Sequence, residues 1–401
     1  MTVFTGKNVV VGVCGSIAAF KVAGWVSTLT KMEALVDVAM TPAAERFVTP
    51  LTFASLSGRK VYSAMFDGAA DGSMAHIDLG READIFVVAP ATADIIAKLA
   101  HGMADTLVTT VALVARCPKL LFPAMNVQMF ASLPVQENLK KLRESGWTVV
   151  APASGSMACG EVGKGRLVEW QDAQEYLAAA LSRQDLAGMR VVVTAGPTRE
   201  AIDPARFLSN RSSGKMGYAL ATAAARRGAV VMLISGPSSL PAPPLVTLKR
   251  VETAREMHDA VMAESAHAGV IIKAAAVSDY RPENIAPHKV KKENIETEMR
   301  LVQNPDILFA LGEKKPKGQI LVGFAAESRN LEAEGRRKLT KKNLDLICVN
   351  DISASDAGFE SETNRILLLD RDGGEERLPL ISKLETADRI LDRVVALRCT
   401  P

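Results

Sequence analysis

The sequence predicts an α/β protein built from two doubly wound, Rossmann-like domains. Short runs of Val, Ile, Leu and Ala recur between stretches of helical periodicity, the alternation expected of parallel sheets wound with helices. Hydrophobic residues make up 48% of the chain and aromatics only 5%, a balance that suits aliphatic α/β cores. The pattern also happens twice. A strand and a glycine-marked turn open the chain near Val9, and another such pair opens near Val191.

In order, KNVVVGVCG reads as the first strand and SIAAFKVAGWVSTLTKM as the helix after it. ADIFVVAP and KLLFPAMN read as further buried strands. In the second half RVVVTAG, AVVMLISG, GVIIKAAA, ILVGFAAE and LDLICVND read as strands, and YALATAAARRG as a helix. The polar stretch SRQDLAGMR, residues 182–190, looks like the junction. The expected domains are 1–186 and 187–401, within the two or three that 401 residues suggest. PAPP, residues 241–244, is a rigid turn or linker.

A net charge of +3 creates no global field for nucleic acid or membrane, and neither is expected as a partner. VVVGVCG and LDLICVND are too short to span a bilayer, and MTVFTGKN lacks the apolar core of a secretory signal. The five cysteines, Cys14, Cys117, Cys159, Cys348 and Cys399, show neither C-x-x-C nor zinc spacing. A reduced cytoplasmic protein is the expectation.

Open α/β sheets bind ligands beyond the carboxyl ends of their strands. In the first half, Gly12, Gly15 and Ser16 follow strand one, Pro90 to Asp94 end a later strand, and Pro123 to Asn126 end a third. These loops suit one phosphorylated cofactor. None is GxGxxG, which disfavours a dinucleotide oxidoreductase. ASGSMACGEVGKGRL sets Cys159 among glycines, as a moving flap would. His76 sits in SMAHIDLG, ahead of a strand. A lone His is more often a packed or surface residue, and a lone Cys more often a small buried hydrophobe. In the second half, NRSSGKMG (residues 210–217) precedes a helix. It is no P-loop: Ser209 stands where the first glycine belongs, and Lys215 is followed by Met216. Gly214 and Gly217 allow close backbone approach to an anion at a helix start, but an ordinary turn fits equally well. The residues alone stop at phosphorylated-ligand binding.

Together, GSIAAFK, the His of AHIDLG, PAMN-x-x-M and ACGE resemble the flavin-dependent cysteine decarboxylases. TAGPTREAIDPARFLSNRSSGKMG, AAAVSDYRP, KVKK, NPDIL, GFAAE and KKNLDLICVND resemble phosphopantothenate–cysteine ligase. The set covers nearly the whole chain, in the order of the bacterial bifunctional proteins of coenzyme A biosynthesis. The resemblance implies a flavodoxin-like FMN domain followed by a CTP-dependent ligase domain. Losing CO2 from an alkyl carboxylate needs an electron sink, which FMN provides in the family. By resemblance His76 is a base or proton acceptor in the oxidative half, Asn126 holds the substrate carboxylate, and Cys159 delivers a proton. Gly15, Ser16 and Thr41 are candidates for the FMN phosphate, and Asp94 and Asp105 for the flavin pocket. The chain departs from the family in Glu161, where Asp is frequent, and Phe130, where Trp is common.

For the ligase, the resemblance implies CTP with Mg2+, an acyl-cytidylate, and displacement of CMP by the cysteine amine. Lys289 would stabilise the transferring phosphate. Lys273, Ala274, Ala275, Asp279, Pro305, Asp306, Ile307, Leu308, Phe324, Lys338 and Lys342 match nucleotide contacts; the last two would share one helix face. Asn210 matches the residue of the second half-reaction, and NRSSGKMG would line the phosphopantothenate and acyl-cytidylate site. The implied partners are 4'-phosphopantothenate, cysteine, CTP and phosphopantothenoylcysteine. The implied assembly is a homo-oligomer, a dodecamer in the family. No magnesium ligand is assigned. A peptidyl-cysteine decarboxylase needs no second half of this kind. A flavin-binding regulatory subunit is disfavoured by the joint presence of His76, Asn126 and Cys159.

Overall fold

The computed structural model describes residues 2–65, 74–156, 160–290, 298–327, 329–351 and 361–399. The chain divides into two compact units, Met1–Ser182 and Arg183–Pro401. Residues 183–186 fall in the second unit: the Asp185 carboxylate accepts from Arg227 Nε (2.8 Å) and Nη2 (2.6 Å), and Leu186 is buried in that unit's core.

In the first unit β1 (Asn8–Val13), β2 (Leu35–Met40), β3 (Val61–Tyr62), β4 (Ile85–Ala91), β5 (Lys119–Pro123) and β6 (Thr148–Val149) make a parallel sheet in the order β3-β2-β1-β4-β5-β6. β3 has only two residues; without it the order matches the flavodoxin-like 2-1-3-4-5 sheet. The chain switches direction across the sheet between β1 and β4. Around it lie α1 (Ala19–Lys31), α2 (Pro50–Ser57), α3 (Ala75–Glu82), α4 (Ala93–Ala100), α5 (Leu107–Val114), α6 (Val127–Ala131), α7 (Leu133–Glu144) and α8 (Trp170–Leu181). Val9, Val11 and Val13 pack on one face with α1, α2 and α8; Val10 and Cys14 pack on the other with α4, α5 and α7. Burial on both faces is why the strand reads as an unbroken apolar run. The sequence reading omits β2 because Asp37 interrupts it. That carboxylate is held by Arg59 Nε (2.9 Å) and Nη2 (3.0 Å). β7 (Ala153–Ser156) and β8 (Val162–Arg166) form a separate antiparallel hairpin.

The second unit contains β9 (Arg190–Ala195), β10 (Arg199–Asp203), β11 (Arg206–Ser209), β12 (Val230–Ser235), β13 (Val246–Arg250), β14 (Val270–Lys273), β15 (Tyr280–Pro282), β16 (Leu301–Gln303), β17 (Ile320–Glu327), β18 (Leu346–Asp351), β19 (Thr363–Asn364), β20 (Ile366–Asp370), β21 (Glu375–Arg377) and β22 (Ile381–Ser382). Its main sheet runs β13-β12-β9-β14-β17-β18-β20-β21, with β20 and β21 antiparallel at the charged edge. Strands β10–β11, β15–β16 and β19–β22 pair as small two-stranded sheets. α9 (Lys215–Arg226) and α13 (Lys383–Cys399) share one core with the sheet; α10 (Ala254–Ser265), α11 (Ile307–Lys314) and α12 (Leu331–Lys341) share the other. No described helix is long and apolar enough to cross a membrane.

One buried charge ties the second sheet together. The Asp345 carboxylate accepts from Leu321 N (2.7 Å), Lys315 Nζ (3.1 Å) and Arg371 Nη1 (2.6 Å), and the residue is fully buried. Asp345→Ala strands these donors without their acceptor and is expected to cost about 3–5 kcal/mol. Urea unfolding followed by circular dichroism measures it, and an unchanged midpoint would contradict the assignment.

Candidate active sites

In the first unit the loops after β1, β2, β4 and β5 meet at the carboxyl edge of the sheet, beside the switch between β1 and β4. A Cβ on Gly15 would lie 2.5 Å from Ala43 Cβ and 3.0 Å from its carbonyl carbon, so glycine lets the loop after β1 close on the loop after β2. Ser16 N donates to Cys14 O (2.9 Å), and buried Thr41 accepts Ala44 N at its Oγ1 (3.3 Å). Thr92 caps α4, with Asp94 in the first turn. Lys98 Nζ pairs with both Asp94 (3.2 Å) and Asp105 (2.9 Å). That hydrogen bond from Lys98 holds the Asp105 carboxyl below its usual range. One ammonium thus fixes the two aspartates expected around a flavin.

His76 lies in the first turn of α3. Its Nδ1 is buried and has no hydrogen-bond partner among the described residues, a state that costs roughly 1–3 kcal/mol unless a ligand meets it. Asn126 caps α6: its Oδ1 accepts Gln128 N (2.8 Å), while its Nδ2 donates to Glu161 Oε2 (2.9 Å). Met125 N donates to Gly165 O (3.0 Å), and a Cβ on Gly163 would come within 2.9 Å of Val127. The β7–β8 hairpin is therefore docked on the Asn126 loop. Cys159 lies outside the described residues, two positions before Glu161 in the sequence. The sequence reading treats Glu161 only as a departure from the family pattern, yet its carboxylate reaches Asn126. The orphaned ring nitrogen, the glycine closure and the switch-point loops fit a phosphorylated, hydrogen-bonding cofactor.

The second unit holds a cavity of about 430 Å³ beyond the carboxyl ends of its parallel strands. Asn210, Lys273, Ala274, Ala275, Asp279, Pro305, Asp306, Ile307, Leu308, Phe324, Lys338 and Lys342 all line it. Lys289 does not; it stands in an exposed loop. Its neighbour Val290 donates N–H to Asp203 Oδ2 (3.2 Å), and its carbonyl accepts from Arg206 Nη2 (3.1 Å). Asp203, held well below its usual range first by Arg206, closes the β10–β11 turn through Ala205 N (2.8 Å). The loop carrying Lys289 is thus tied to that hairpin.

NRSSGKMG delivers α9 to the end of β9. Gly214 takes the left-handed φ of +83° just before the helix, and a Cβ on Gly217 would stand 2.8 Å from Thr194 O. Asn210 Nδ2 donates to Ala276 O (3.2 Å), fixing its amide beside the loop after β14. Burial, and then the ammonium of Lys342, push Lys273 down to about 8. Although burial opposes it, the hydrogen bond from Lys342 (2.8 Å) keeps Asp306 below the usual range. Lys338 pairs with Glu327 at 2.5 Å. Lys215, Asn350, Asn364 and Lys383 also line the cavity, and the sequence reading assigns them no role there individually. Asn350 is the penultimate residue of the strand of LDLICVND, so the rule that ligands lie at the carboxyl ends of strands could have found it. Lys383 opens a helix that the reading does not include. Among the described residues no group of three or more His, Cys, Asp or Glu forms a metal site.

Two doubly wound units, each with a polar site at the carboxyl edge of its sheet, define a two-unit α/β protein of the class that binds ligands past its strand ends. The Flavoprotein family model matches residues 3–182, and the DNA/pantothenate metabolism flavoprotein C-terminal domain matches residues 186–397. The chain is 45% identical over 399 residues to the coenzyme A biosynthesis bifunctional protein CoaBC of Vibrio vulnificus, covering 99% of each. It is 45% identical to that of Escherichia coli over 394 residues, covering 97% of each, and 46% identical to that of Bacillus subtilis over 396, covering 98% and 97%. A crystal structure of the C-terminal domain of CoaBC is 42% identical, with a TM-score of 0.46, over 53% of this chain and 97% of that one. The chain belongs to the CoaBC family of coenzyme A biosynthesis bifunctional proteins, and its first unit is a flavoprotein domain.

Proposed function

We propose that the second unit joins 4'-phosphopantothenate to cysteine at the expense of CTP, and that the first decarboxylates the product to 4'-phosphopantetheine with FMN. The ligase-and-decarboxylase reading follows the family. The observation that carries the ligase assignment is the single cavity lined by Asn210 and by the residues matched to nucleotide contacts. There the substrate carboxylate attacks the α-phosphorus of CTP and pyrophosphate leaves. The cysteine amine then attacks the acyl carbon and expels CMP. Lys289, on its exposed loop, offers an ammonium to the charge that develops in the first step. Asn210 orients the acyl group for the second. Magnesium would enter with the triphosphate.

In the first unit Gly15, Ser16 and Thr41 would receive the FMN phosphate, with Asp94 and Asp105 at the flavin. FMN when bound supplies the electron sink that decarboxylation requires. His76 accepts a proton at Nδ1, the Asn126 amide holds the substrate carboxylate, and the Cys159 thiol returns a proton to carbon. A cytoplasmic location and a homo-oligomeric assembly belong to the same reading.

A fragment ending at Ser182, the end of the first unit, is expected to purify yellow, with one FMN per chain. Absorption spectroscopy after acid release identifies the flavin. A fragment folded by circular dichroism but colourless would overturn the placement of FMN.

A further inference from the structure

Asn210 stands between two openings in the second unit. On one side is the cavity of the nucleotide-matched residues, around the carboxyl ends of β14 and β17. On the other an open groove lies at the carboxyl ends of β9, β12 and β13, and Asn210, Arg211 and Ser212 line both. β9 has β12 on one side and β14 on the other, so the Asn210 segment stands at the switch point of this sheet. None of the lysines and aspartates matched to nucleotide contacts lines the groove.

The groove carries Arg199, Arg211, Arg250 and one carboxylate, Glu252. Among the described residues no ion pair joins these guanidinium groups to a carboxylate, and none joins Glu252 to a cation. Arg199 and Glu252 are nonetheless neighbours: Arg199 N donates to Glu252 O at 2.9 Å. The Arg199 side chain is half-buried and lies over the Phe207 ring, 4.5 Å from its centroid, which narrows the positions it can take. A held guanidinium beside a carboxylate, each without a charged partner, complements the zwitterion of an α-amino acid. A phosphate dianion would meet the same arginines but also the repulsion of Glu252.

Resting on the ligase reading of this unit, we infer that the groove binds cysteine, with Arg199 taking the α-carboxylate and Glu252 drawing in the ammonium. The acyl-cytidylate fills the cavity, so its second substrate must reach the acyl carbon from another side, and the groove opens on the same Asn210. There the N–C bond forms as the acyl C–O bond to CMP breaks. CMP leaves with that electron pair, and the surplus protons of the nitrogen pass to solvent in the open groove.

Capture of the acyl-cytidylate by two amines tests this on the full chain: cysteine, and cysteamine, which lacks the carboxylate. The wild-type protein is expected to show a KM for cysteine roughly 10- to 100-fold below that for cysteamine, the worth of a charge-assisted hydrogen bond. Arg199→Gln should erase this preference, a ratio that does not depend on how much intermediate the variant makes. Arg199→Lys should restore part of it. Glu252→Gln should raise the KM of both amines alike, because both carry the ammonium, and an unchanged KM there overturns its part in the site. A cysteine preference that survives Arg199→Gln overturns the proposal. So does an equal loss with both amines, which would make Arg199 a purely structural residue. A raised KM for phosphopantothenate with the cysteine preference intact also overturns it, and would give the groove to the phosphorylated acid. A wild-type protein that releases no pyrophosphate from CTP and phosphopantothenate overturns the ligase reading itself.

Discussion

Asn210→Asp is expected to form acyl-cytidylate and pyrophosphate yet make the cysteine amide at least about 100-fold more slowly. The Asn210 amide stands at the cavity wall with its Nδ2 donating to Ala276 O at 3.2 Å. An aspartate of the same size has no donor at that position. It places a carboxylate oxygen against a carbonyl oxygen, and negative charge beside an anionic intermediate. The side chain must then turn away, and the acyl group loses its orienting partner. Activation does not depend on that contact and should continue. Quenched reactions separated by chromatography should show the intermediate accumulating with cysteine present. Amide formation at the normal rate would remove Asn210 from the second step. A parallel loss of both steps would make it a general binding residue.

His76→Asn is expected to lower CO2 release from phosphopantothenoylcysteine about 10²- to 10⁴-fold, the usual worth of a positioned acid or base. Among the described residues the buried Nδ1 has no hydrogen-bond partner, so its removal breaks no hydrogen bond there. The variant should therefore keep FMN and melt near the wild-type temperature. That separates a chemical role from a structural one. Adding substrate anaerobically should leave its flavin spectrum oxidised. Normal CO2 release would show that the orphaned nitrogen is a packing accident.

The two-domain α/β architecture was legible because parallel strands buried on both faces read as uninterrupted aliphatic runs. β1, β5, β9, β12, β14, β17 and β18 lie inside runs that the sequence marks as strands, and β4 overruns its run only by Ala91. Where polar atoms enter a strand the signal fails, as at Asp37 in β2, whose charge is offset by Arg59 from another element. The short hairpin β10–β11 went unread for a related reason. Its turn is stabilised by Asp203 and the loop near Val290, a partnership between residues far apart in sequence.

By itself the sequence determined the fold class, the paired domain plan and the residue types past the strand ends, since each rests on local pattern and on the rule that parallel strands end together. Tertiary structure alone decided which of those residues meet. It gathered Asn210 and the nucleotide-matched residues around one cavity and left Lys289 on an outer loop. It joined Asn126 to Glu161, and it brought Lys383 from the last helix to the α9 side. A charge's partner, its burial and its proton affinity depend on neighbours supplied by distant segments, and no local pattern records them.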